Sequence, residues 1–195
     1  QIEIAAAAVD AYLDLAEDPQ LDRIEQYALA ANAFDVARRL GDDARKAATR
    51  ARLLAIVDEA IDATSSEHAE GGTILRALEY FVFCGGTKAE ADARLRQALP
   101  LFEDDWHLRR ELALFLSSLQ RTKAESDGIL SEHLRALIAQ ASTREGFLRE
   151  GLLRQVLATA RAQGIRDVAG EASSALAQIR PEDYDFKVSE FSWEL

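Results

Sequence analysis

Apolar residues recur at every third or fourth position from residue 2 to residue 179, interrupted only by short clusters of capping and turn residues. A half-buried strand needs strict alternation, and no segment of useful length inside that span shows it. The pattern therefore predicts an all-α chain of about nine amphipathic helices joined by tight turns. Helices of this kind bury one stripe each by packing as consecutive antiparallel hairpins.

The helix limits follow from local chemistry. A first helix is expected over residues 2–17, after which Asp18-Pro19 offers an N-cap and a first-turn proline for a second helix ending at Gly41. Asp42 or Asp43 caps a third helix, with Leu53, Leu54, Ile56, Val57, Ala60 and Ile61 on its apolar face. Residues 64–72 are polar and carry two glycines, so they read as a mobile loop. A fourth helix over residues 73–83 ends at Cys84-Gly85-Gly86. Thr87-Lys88-Ala89-Glu90 is a capping box opening a fifth, which must stop or kink before Pro100. Asp104 or Asp105 starts a sixth. Thr122–Glu125 and Ser142–Glu145 are two more capping boxes, opening the seventh and eighth helices. Gly164 ends the eighth, and a ninth spans residues 166–179. Residues 1–180 thus read as one all-helical domain, and residues 181–195 as an aromatic, acidic segment that caps the last helix pair or leads into a following domain.

Charge narrows the partners. The chain of 195 residues carries 23 Lys and Arg against 34 Asp and Glu, a net charge of −11, which opposes broad contact with nucleic acid or an anionic membrane. Its apolar runs fall far short of the ~20 residues a membrane-spanning helix requires. One cysteine, Cys84, excludes an internal disulfide and suits a cytoplasmic setting. The absence of any Met motivates an alternative reading, in which these helices are the N-terminal regulatory domain of a larger protein whose catalytic or effector domain is absent from this chain.

No catalytic constellation stands out, and the chain reads as non-enzymatic. His68, His107 and His133 follow Ser65, Asp104 and Leu130 at the i−3 position, so no Glu-x-x-His ligand pair exists, and no metal or cofactor is expected. Cys84 ends a helix, where the macrodipole opposes a thiolate, and reads as structural. Gly85-Gly86-Thr87-Lys88 follows a helix and lacks the order of a phosphate loop. The acidic clusters are explained by helix N-termini and solvated surface.

The segment Val36-Ala37-Arg38-Arg39-Leu40-Gly41 followed by Ala44 to Leu54 reappears in form as Thr159-Ala160-Arg161-Ala162-Gln163-Gly164 followed by Val168 to Ala177. Each is a helix, a glycine stop and an alanine-rich helix, with Ala37, Ala48, Ala51, Ala160, Ala172 and Ala175 as small residues for close approach. This resembles the tetratricopeptide class of helical-hairpin repeat in degenerate and partial form, over residues 27–61 and 152–179. The family's complete set of marker residues is met in no window. The resemblance implies a short right-handed superhelix, the alternative being an irregular bundle, and a protein or peptide as partner. Charge is blocky: residues 36–54 hold six Lys and Arg between acidic neighbours. On that basis Arg38, Arg45, Arg52, Arg154 and Arg161 are the expected anchors for acidic groups of the partner. The sequence carries no signal for oligomeric state.

Overall fold

The computed structural model describes residues 2–63 and 68–180, and the chain is all-α. The nine α-helices among the described residues are α1 (Ile2–Ala16), α2 (Arg23–Leu40), α3 (Asp43–Asp62), α4 (His68–Phe83), α5 (Lys88–Ala98), α6 (Trp106–Leu119), α7 (Lys123–Ala141), α8 (Gly146–Gln163) and α9 (Arg166–Ala177). A 3-10 turn over Leu99–Phe102 follows α5, so Pro100 ends the α-helix as its missing N–H requires. The segment 181–195, expected as a cap or linker, lies outside the described residues. The chain divides into two units, residues 1–122 and residues 123–195.

In the first unit α4 is the hub, touching α2, α3, α5 and α6. Ile74 and Leu78 of α4 are fully buried with Leu53, Ile56, Leu95, Leu112 and Leu116. Gly71 explains how close α4 and α6 come: a Cβ there would sit 1.9 Å from Leu108 Cδ2 and 3.0 Å from the Phe102 ring. Residues 68–72, expected as part of a mobile loop, are the first turn of α4. Their polar and glycine-rich composition misled because burial of Gly71 and Thr73 against the core outweighs weak local propensity.

In the second unit α7 packs on α8 and α9, and α8 on α9. Leu130, Leu134, Leu137, Leu152, Leu153, Val156, Ala160, Val168 and Ala172 form its core. Arg135 bridges the first two turns of α9, its guanidinium holding Glu171 at 2.9 Å and bonding Asp167 as well.

The glycine stops are as expected: Gly41 and Gly164 take φ of 70° and 75°, the left-handed conformation that spares a Cβ clash. Besides α4, two further N-termini differ from expectation. Helix α2 starts at Arg23 with a reciprocal capping box between Asp22 and Glu25, while Asp18 binds the Gln20 N–H in the preceding turn. The Ser142–Glu145 box does not form. The hydroxyls of Ser142 and Thr143 instead donate to the Ala139 and Gln140 carbonyls, finishing α7, and α8 begins after Glu145 without a side-chain cap.

Candidate interaction surface

The expected arginine anchors are spread over both units and are differently placed. Arg45 lies on the first turn of α3 and forms a fork to Asp10 of α1, with Nε–Oδ1 at 2.8 Å and Nη2–Oδ2 at 2.7 Å, while its Nη1 reaches Asp42 at 2.7 Å. The guanidinium holds the Asp10 carboxyl below its ordinary range, and the Arg45 backbone N–H and side chain do the same to Asp42.

Arg52 is 10% exposed and donates to the Ala16 carbonyl at the end of α1 (2.9 Å), to Gln26 Oε1 (3.2 Å) and to Glu59 (2.7 Å). Gln26 is itself buried and donates onward to the Asp18 carbonyl at 2.8 Å. Arg52 therefore clamps the α1–α2 turn. Both Arg45 and Arg52 are bound within the chain.

The other three have more open heads. Arg38 is 58% exposed and stands 3.9 Å from Asp35, and Arg154 is 69% exposed beside Glu150. Arg161 is exposed, with no ion pair among the described residues. Of the six small residues singled out for close approach, Ala37, Ala160 and Ala172 are buried, whereas Ala48 and Ala51 are exposed and Ala175 is half-buried. Thr49, four residues before the buried Leu53, takes the inner line of α3 instead and bonds the Arg45 carbonyl.

Two surfaces were not signalled by charge. The first is a cleft of about 200 Å3 between α2 and α4, lined by Tyr27, Arg76, Glu79, Tyr80 and Phe83. Tyr80 sits edge-on to Tyr27 at 6.2 Å and to Phe34 at 6.1 Å, and its hydroxyl donates to Asp35 Oδ1 at 3.1 Å. Burial raises the Tyr27 hydroxyl above its ordinary pKa and the Tyr80 hydroxyl well above, with Asp35 adding to the effect on Tyr80. Burial, and then the charge of Glu111, raises the Glu79 carboxyl. Phe83 projects from the rim, 71% exposed. At the same helix end, Arg50 Nη1 donates to the Cys84 carbonyl at 3.1 Å, and burial holds the Cys84 thiol up at about 12, in its protonated form.

The second surface is the outer side of α1. Val9 and Ala16 are fully buried, and Tyr12 and Leu13 pack beside the Val9, Ala33 and Ala37 cluster. Turned about a third of the way round the helix lie Ile4, Ala8, Ala11 and Leu15, spaced four, three and four residues apart on one line. Ile4 is 75% and Leu15 50% exposed, Ala11 is exposed and Ala8 half-buried. Glu3, Asp10 and Asp14 run along one edge of this line, and the first Lys or Arg of the chain is Arg23. The sequence did hold the signal, since the apolar residues of α1 cover a wider arc than one stripe, leaving the edge of Glu3, Asp10 and Asp14.

Among the described residues no group of three or more His, Cys, Asp and Glu side chains could hold a metal. His107 is exposed and stacks on Trp106. No helix of the described residues is long and apolar enough to cross a membrane. No family model, curated protein or solved structure matches this chain.

Proposed function

We propose that this chain is a non-enzymatic module for protein–protein interaction or scaffolding, taking a protein or peptide partner along α1. The observation that carries the reading is the uncovered stripe Ile4, Ala8, Ala11 and Leu15. Full burial of an Ile or Leu contributes roughly 1.5–3 kcal/mol, so a face with one at each end and alanines between is worth covering. The small middle residues let a second backbone approach closely, and the acidic edge favours some partners over others.

The hairpins α2–α3 and α8–α9 support a tetratricopeptide-like reading, since each pairs two helices across a glycine stop. The lone buried Cys84 is compatible with a cytoplasmic home.

The test is affinity capture with the whole chain and with the Ile4→Glu/Ala11→Glu double variant, after circular dichroism has shown both to be equally helical. A partner retained by the parent and lost by the variant is the expected result. An identical set of retained proteins would remove α1 from the proposal.

A further inference from the structure

We infer that the partner presents an amphipathic α-helix with an apolar stripe bordered by Lys or Arg, and that this helix lies along the outer line of α1. The inference rests on the interaction reading above and adds the chemistry of what is bound. The spacing of Ile4, Ala8, Ala11 and Leu15 is that of a helix–helix seam, alternating steps of four and three residues. A straight helix matches such a line over its whole length, whereas an extended peptide, with its repeat of two, meets it at one or two points.

Charge selects which helix. The carboxylates of Glu3 and Asp14 border the seam on one side, and Asp10 on the same edge is already matched by Arg45. The opposite edge is Ala5 and Tyr12, without charge. A partner helix with a basic edge therefore gains two carboxylates that have no ion pair among the described residues, and one with an acidic edge meets repulsion. The same asymmetry disfavours a second copy of this chain. Two α1 helices laid antiparallel across a two-fold axis set acidic edge against acidic edge.

Two synthetic amphipathic helical peptides provide the probe, identical in their apolar stripe, one edged with Lys and its twin with Glu. Each is titrated against the full chain by fluorescence anisotropy. The Lys-edged peptide should bind roughly tenfold or more tightly than its twin, with affinity falling as salt is raised. Glu3→Lys/Asp14→Lys should invert the preference, and Ile4→Glu/Ala11→Glu should abolish binding of both peptides. Equal affinity for the two peptides overturns the charge argument. Binding of neither peptide overturns the partner chemistry; loss of a captured partner in the Ile4→Glu/Ala11→Glu variant would then still uphold the broader reading. A dimer in analytical ultracentrifugation that the same variant dissociates would overturn the proposal in favour of self-pairing.

Discussion

Arg52 and Arg161 look alike as sequence and differ as physics. Arg52 is nearly buried and satisfies the last carbonyl of α1, a buried glutamine and a glutamate. Arg52→Ala strands the Gln26 amide oxygen and the Ala16 carbonyl, and should lower stability by about 1–3 kcal/mol in urea unfolding. Arg161→Ala, at an exposed position, should stay within about 0.5 kcal/mol of the parent. A second contrast separates neighbouring glycines. Gly71→Ala drives a methyl into Leu108 and Phe102 and should cost about 1–3 kcal/mol, whereas Gly72→Ala meets open space in a helix and should gain up to about 1 kcal/mol. Thermal unfolding of the two variants under one buffer decides it. Neither contrast was legible beforehand, because spacing tells which residues share a face but not which of two adjacent glycines faces a neighbour.

Helix ends show where local rules held and where they yielded. The left-handed stops at Gly41 and Gly164 were legible because few residues other than glycine take that conformation cheaply. The Ser142–Glu145 box was not, because a hydroxyl can serve the helix before it as well as the one after it. Asp22→Ala should thus cost about 1 kcal/mol by loss of its cap, and Ser142→Ala clearly less, as read from urea midpoints. One ionic tie between α1 and α3 is Arg45 with Asp10, and Arg45 also holds Asp42 at the N-cap of α3. Both carboxyls are depressed below their ordinary 3.8, so their contribution is complete above that value and is lost as pH falls through the lower folded-state pKa. The parent should therefore exceed Arg45→Met in stability at neutral pH, with the gap closing below about pH 4 in unfolding curves.

At the scale of the whole molecule, the all-α class was written in the spacing, as were the core positions Leu53, Ile56, Val57 and Ala60. The surface proposed for binding was less visible. Runs of arginine drew attention to α3, yet basic residues on a helix are as readily answered from within, and Asp10, Asp42 and Glu59 answer Arg45 and Arg52. The more telling feature is an excess of apolar residues on α1, which periodicity registers simply as a helix.

That excess has a kinetic corollary. With just Val9 and Ala16 fully sunk, α1 should open locally at lower cost than the hub α4. Its amides should exchange for deuterium well before those of α4 by mass spectrometry. A ligand seated on Ile4 and Leu15 would slow that uptake, so the occupancy of this face is readable as a clock running late in a single peptide near the amino terminus.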